Sequence, residues 1–229
     1  MFSFCVCEKE SDLFIVCDRR LRARAMTALR AVRRELEGYI ARDERFLLSF
    51  EPVRLRRGAP PVARQMAAAA RAWDVGPMAA VAGAIAQRVG ENLLAQAHEV
   101  IVENGGDIFL RRKRQSRIAL YAGEWSPFTG EVFTIPPCPK GVGVCTSSAT
   151  VSHSVSFGKA DAVVAVASDA AWADAAATAI ANEVRCESDV DKVLAKFGRR
   201  RYLNGLIVAI GERIGFWGDI ALAGERRRQ

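Results

Sequence analysis

The stretch EVIVENGGDIFL, Glu99–Leu110, decides the fold. Two β-rich runs flank Asn-Gly-Gly-Asp, and such a pair of turn residues between alternating apolar residues signals a hairpin. Dinucleotide-binding βαβ units also carry glycines after a strand, but there a GxGxxG turn opens a helix. Here Asp107-Ile108-Phe109-Leu110 opens a strand, and the GxGxxG spacing is missing. The turn has two readings. It is an ordinary strand connection, or it is a bare backbone against which a ligand lies, with Asn104 and Asp107 as polar handles.

Toward the C-terminus, RIALYAG (Arg117–Gly123) reads as a strand antiparallel to this one, and Glu131–Ile135 as a further strand. The proline-rich IPPCPKG then leads into VGVCTSSATVSHSVSFGKADAVVAVAS, two or three strands joined by polar turns. DAAWADAAATAIANEV and SDVDKVLAKFG are helical, and GLIVAIGERIGFWGDIAL is a hairpin or meander.

Toward the N-terminus, MFSFCVCEKESDLFIVC is a hairpin turning over Glu8–Asp12. Asp18 is placed to cap a helix from Arg19 to Ala41, with Leu21, Ala25, Leu29, Val32, Leu36 and Ile40 as its apolar stripe and arginines on the other faces. Phe46–Phe50 reads as a short strand, EPVRLRRGAPP as a loop, and Val62–Ala72 and Pro77–Ala97 as helices, with proline suited to the first helical turn. Strands and helices come in blocks rather than in βαβ alternation. The expected class is α+β, a largely antiparallel sheet with helices on one or both faces.

Composition narrows the functions. The chain has 229 residues, half of them apolar and a quarter charged, and a net charge of +7. No apolar run reaches the roughly 20 residues of a membrane span, and the N-terminus has no signal-peptide pattern, so a cytoplasmic location is expected. Six cysteines without CxxC spacing suit reduced thiols rather than a disulfide scaffold or a zinc site. Cys5 and Cys7 share a strand face, which Cys17 joins if the hairpin register allows. The arginine-rich first helix lacks interleaved aromatics and has acidic residues close by, so it reads as a solvated face and nucleic-acid binding is not expected.

Three constellations carry candidate chemistry. Asn104, Gly105, Gly106 and Asp107 form the turn. Asp174 and Thr178 lie four apart on one helix face, where their oxygens suit a hard cation such as Mg²⁺. Cys145, Thr146, Ser147, Ser148 and His153 form a hydroxyl-rich segment suited to phosphate oxygens, with His153 as acid or base. Each has a plain counterpart: a turn, a solvated helix aspartate, a sheet-edge loop with a small core cysteine.

In order, VENGGDI, GVCTSS, SHSVSFGKADAV and ADAAATA resemble the ApbE superfamily over about Gly76–Ala181. Members with assigned activity are FAD:protein FMN transferases that use Mg²⁺ to cleave FAD and attach FMN to a threonine of a partner protein. The pattern is most similar to an ApbE-like branch of unassigned activity in archaea and anaerobic bacteria. The resemblance implies one T-fold-like ApbE domain over 1–229, with the hairpin, arginine-rich helix and linker of 1–60 packed on it.

By the same resemblance Gly105, Gly106 and Asp107 lie beside a flavin, FAD or FMN, with Asp107 orienting the ligand. Ser147, Ser148 and His153 border the nucleotide, and Asp174 and Thr178 hold Mg²⁺. Two features of the transferases are absent. Their glycine-rich helix start carries a lysine, where this chain has GPMAAVAGAIA, and their histidine is followed by Asp-Pro, where His153 is followed by SVSFGKAD. Some relatives are linked to sulfide assimilation and homocysteine formation, which makes Cys145 a candidate sulfur-carrying nucleophile. A non-catalytic ligand-binding module and a homo-oligomer are further expectations left open by the residues.

Overall fold

The computed structural model describes residues 1–148 and 158–223. Eight strands form one antiparallel sheet in the order β1 (Phe2–Glu8), β2 (Ser11–Cys17), β3 (Val100–Asn104), β4 (Asp107–Arg112), β7 (Cys138–Ser147), β8 (Ala162–Ala167), β9 (Leu203–Ile210) and β10 (Arg213–Gly218). A second sheet, β11 (Ala221–Leu222), β6 (Val132–Ile135) and β5 (Ser116–Ala119), packs on the other side. The mixed, antiparallel α+β class therefore holds.

The two faces of the large sheet carry different cores. One buries Leu13, Ile15, Val102, Cys145, Ala165 and Leu206 against α1 (Arg22–Ile40), α3 (Pro61–Trp73), α4 (Val81–Leu93), α5 (Ala170–Ala181) and α6 (Asp189–Phe197). The other buries Leu110, Val144, Val164 and Ile207 with Phe133 and Ile135 of the small sheet. Because side chains alternate along each strand and both faces are covered, the inner strand β8 is apolar throughout, AVVAVA, all six buried. Among the described residues the helices thus take one face.

Helix α5 is the central piece. Its alanines let it touch β7, β8, α3 and α4, and ten of its twelve residues are buried. Glycines let the backbones approach: a Cβ on Gly143 of β7 would lie 2.2 Å from Ala170 Cα, and one on Gly83 of α4 would lie 2.3 Å from the Ala170 carbonyl oxygen. Asp169 caps the helix by accepting from the Trp172 N–H at 3.1 Å.

Several sequence expectations are corrected. Phe46–Phe50 is not a strand; Arg45–Leu48 forms the one-turn helix α2, with only Phe46 of its residues buried, because a short apolar run has no period to separate the two states. Asp18 does not cap α1, whose first helical residue is Arg22; its carboxylate instead accepts from the His98 N–H at 3.1 Å, a contact across 80 residues of chain. The helix expected over Pro77–Ala97 is a 3₁₀ turn, Pro77–Ala80, followed by α4, which ends at Leu93. The RIALYAG strand pairs with β6 in the small sheet rather than with the hairpin of β3 and β4.

The first hairpin also separates its cysteines. Val6 pairs with Leu13, so even positions of β1 share a face with the buried odd positions of β2. Cys17 points into the core while Cys5 and Cys7 are exposed on the opposite face. On α1 the apolar stripe is Ala25, Leu29, Val32, Leu36 and Tyr39, with Tyr39 replacing Ile40. Its arginines are solvated or paired, Arg33 with Glu10 and Glu37 and Arg30 with Glu8, as the solvated-face reading expects.

Candidate functional site

The Asn-Gly-Gly-Asp turn is a two-residue hairpin in which Asn104 pairs directly with Asp107. Gly105 and Gly106 have φ of 63° and 100°, and positive φ at both central residues is the type I′ turn that matches strand twist. The Gly106 N–H donates to Glu103 Oε1 at 2.8 Å. A Cβ at either glycine would meet nothing within 4 Å. The glycines are thus required by backbone conformation, and the turn leaves its main chain open on the side where side chains would stand.

The next residues place polar groups on the helix-facing side. Ile108 pairs with Val144, which puts Asp107 opposite Cys145 on the adjacent strand. Asp107 Oδ1 accepts from the Thr146 N–H at 3.2 Å. The Asn104 side-chain amide donates to the Ala82 carbonyl at 3.2 Å and so ties the turn to the start of α4. From above, Asp174 of α5 reaches the same helix start, where its Oδ2 accepts from the Gly83 N–H at 2.9 Å. A carboxylate suits the positive end of a helix, whose first N–H groups have no partner within it.

Asp107 is buried and Asp174 half-buried, and no lysine or arginine pairs with either among the described residues. Burial pushes the Asp107 carboxyl up to about 7, offset in part by hydrogen bonds from Cys145 and the Thr146 N–H. Asp174 is also raised well above the usual carboxylate range, first by burial and then by the negative charge of Asp107, against the N–H bonds of Gly83 and Ala82. Two desolvated carboxyls close enough to repel one another hold a proton or attract a cation. Thr178 lies one turn further along α5 and is buried, as are Ser147 and Ser148 at the end of β7. Ser147 Oγ has no hydrogen-bond partner among the described residues.

Cys145 differs from the expectation of a reactive thiol. It is fully buried, and its single S–H faces two acceptors, the Ala170 carbonyl at 3.3 Å and the Asp107 carboxyl. Burial, then Asp107 and Asp174, push the thiol well above its ordinary value. A nucleophilic cysteine needs positive surroundings that favour thiolate, and these surroundings are negative. The sulfur-carrier expectation therefore finds no support in this geometry. His153 lies outside the described residues, as do Thr150 and Ser152.

The turn, the Cys145–Ser148 segment and the Asp174–Thr178 helix, far apart in sequence, converge at one end of the sheet beneath α4 and α5. Sequence reasoning missed the support around them. Gln87 of α4 accepts from the Ala170 N–H at 2.6 Å and donates to Glu91 and Asp169, while Gln65 donates to Asp169 Oδ2 at 2.9 Å. Asp169 before an apolar helix was a readable cap signal. The glutamines carry no such signal, because only packing brings their helices together.

No group of three or more His, Cys, Asp or Glu residues forms a ready metal cluster among the described residues. The oxygens of Asp174, Thr178, Asp107 and Ser147 are nonetheless hard donors of the kind Mg²⁺ takes, and that ion commonly completes its shell with water and ligand phosphates. No helix among the described residues is long and apolar enough to cross a membrane.

The comparisons agree with this architecture. A family model described as "AbpE bacteria" matches residues 2–198. A UPF0280 protein of Methanocaldococcus jannaschii is 43% identical over 219 residues, 93% of this chain and 88% of that protein. Another, of Methanosphaerula palustris, is 46% identical over 200 residues, 86% of this chain and 81% of that protein. Among solved structures, the apo flavinyl transferase ApbE of Pseudomonas stutzeri superposes with a TM-score of 0.58 at 14% identity, covering 96% of this chain and 93% of that one. The flavin transferase ApbE of Vibrio cholerae gives 0.56 at 13%, covering 94% and 96%. At such identities the structures speak for the fold, while the match over residues 2–198 and the archaeal relatives speak for descent: the chain belongs to the ApbE-like family, on the branch it shares with the UPF0280 proteins.

Proposed function

We propose that the protein binds a flavin nucleotide, its phosphates held at the sheet end between the Gly105–Gly106 turn and α5 with a divalent cation on Asp174 and Thr178. The observation that carries this reading is the approach of two desolvated carboxyls, Asp107 and Asp174, with no cationic side chain among the described residues to balance them. A phosphate alone would be repelled there. A cation between carboxylate and phosphate removes the conflict, and a bound Mg²⁺ would supply charge neutralisation and polarise a phosphoryl oxygen.

The remaining groups have definable parts in this reading. The open main chain of Gly105 and Gly106 offers a surface against which a flat ring or a phosphate lies without meeting a side chain. The hydroxyl of Ser147, without a partner among the described residues, is a donor for a phosphate oxygen. Asp107 orients the ligand, and its carboxyl, held near 7, is matched to proton transfer near neutrality. The structural likeness to flavin transferases at the level of fold supports the flavin part of the proposal.

The test is FAD and FMN binding followed by flavin fluorescence, with Mg²⁺ or with EDTA, on the full chain and on Asp174→Ala. Binding that needs Mg²⁺ and is lost in Asp174→Ala is the expected result. Binding that is indifferent to both the ion and the substitution removes the cation assignment. AMP release from FAD, measured in parallel, separates turnover from binding.

A further inference from the structure

A second surface opens at the same end of the sheet, on its other side. The loop between β5 and β6 stands beside the β9–β10 turn and the start of β8, bordering an open groove of about 910 Å³ lined by Tyr121, Glu124, Trp125, Pro127, Asp161 and Glu212, among others. The loop is a built structure. Thr129 Oγ1 accepts from the Ala122 N–H at 3.0 Å and donates to the Gly123 carbonyl, and the Gly130 N–H closes the loop on the Leu120 carbonyl at 2.9 Å. Asp161 Oδ2 accepts from the Gly211 N–H at 2.8 Å, which fixes the opposite wall.

This ordered frame holds Trp125 at 95% exposure and Tyr121 at 51%. Folding gains nothing from an indole left in water, and exposed aromatics on rigid loops are the usual anchors of protein interfaces. The groove also has a charge opposite to that of the chain. Glu124, Asp161 and Glu212 line it and, among the described residues, no lysine or arginine does, in a protein of net charge +7. Arg213, next along the turn, is directed to Asp191 at 2.8 Å. Aromatic faces beside carboxylates recognise guanidinium and ammonium groups.

Position supplies the third argument. The ladders Ile108↔Val144, Ser147↔Val163 and Ala162↔Ala209 put the Gly105–Gly106 turn, the start of β8 and the end of β9 at one end of the sheet. From β4 to β8 is two strand spacings, about 10 Å. The groove and the candidate site thus share one end of the sheet, on its opposite faces.

We infer that this groove docks an arginine- or lysine-bearing segment of the partner protein that receives the group handled at the candidate site. The identity of the partner as an acceptor rests on the flavin reading; the docking does not. Calorimetric titration of the full chain with the blocked peptide Ala-Arg-Ala-Arg-Ala tests it without any flavin present. Expected are saturable binding, no binding of Ala-Glu-Ala-Glu-Ala, and affinity weakened about tenfold or more by Glu124→Gln with Glu212→Gln and by Trp125→Ala. FAD binding by the same variants should be unchanged. Equal affinity in the variants overturns the inference. Binding that emerges only after Arg226, Arg227 and Arg228 are all replaced by alanine also overturns it, because the groove then serves the chain's own basic end. Failure of FAD to bind, with the peptide result intact, removes the flavin reading alone.

Discussion

Two regions use glycine for opposite reasons. At the β3–β4 turn, Gly105 and Gly106 have left-handed backbones and open space where a Cβ would stand. At the junction of α4, α5 and β7, Gly83 and Gly143 have ordinary backbones and no space at all, with Ala170 within 2.3 Å of either virtual Cβ. The crowded pair builds the molecule by letting a helix lie against a strand and another helix. The open pair exposes main chain, and that is what a bound ligand can use. A substitution that affects stability most is therefore expected at the junction, and one that affects binding out of proportion to stability at the turn.

The largest effect is expected from Gly143→Ala. Its new methyl would meet Ala170 Cα at 2.2 Å, where only backbone could yield, so a loss of about 3 kcal/mol or failure to fold is expected in urea melts. A loss under about 1 kcal/mol would show that α5 slides freely and that the junction is not tightly set.

Next comes Asp174→Ala, which sits at the junction but acts on the site. It is expected to weaken Mg²⁺-dependent FAD binding by about a hundredfold, some 2.7 kcal/mol, more than it lowers stability. The structural cost is the loss of the carboxylate that accepts from Gly83.

Asp107 links the two regions through pH. Without added cation its carboxyl titrates near 7 in the folded chain, against an ordinary value of 3.8. The folded state then binds the proton more tightly than the unfolded state. The stability this gives is present at low pH and is lost as pH rises from about 4 to about 7, levelling above. Thermal melts of Asp107→Asn in EDTA should show a smaller decline, the remainder coming from Asp174, whose carboxyl burial also raises, and an unchanged decline would place its origin elsewhere.

The smallest effect on stability is expected at Gly106→Ala. With a φ of 100° and no neighbour within 4 Å, only backbone strain opposes it, about 1–2 kcal/mol. If FAD affinity falls by much more than that, the open space at the turn is ligand space. If both fall together, the turn is a connection and nothing more.

Much of this was legible in the chain because it rests on local rules. Asn-Gly-Gly-Asp between two apolar runs specifies a hairpin, and with it an antiparallel sheet, through the φ that glycine alone tolerates cheaply. The alanine-rich stretch after Asp169 and the spacing of Leu29, Val32 and Leu36 specify helices through their period. The succession of four motifs carried the resemblance to ApbE. The expectations that failed were those in which a distant partner decides. Asp18 went to His98 rather than to its own helix, RIALYAG took β6 as its partner, and register alone turned Cys17 away from Cys5 and Cys7.

The sequence by itself determined most of the elements, the antiparallel class and the residue types at the candidate site. The tertiary structure decided their chemistry. It buried Cys145 beside two carboxyls and so made its thiol a donor, and it brought Asp107 and Asp174, 67 positions apart, into a common desolvated space. The physical reason is that conformational preference is a property of a few neighbouring residues, whereas desolvation and charge coupling depend on which distant atoms displace water from a group.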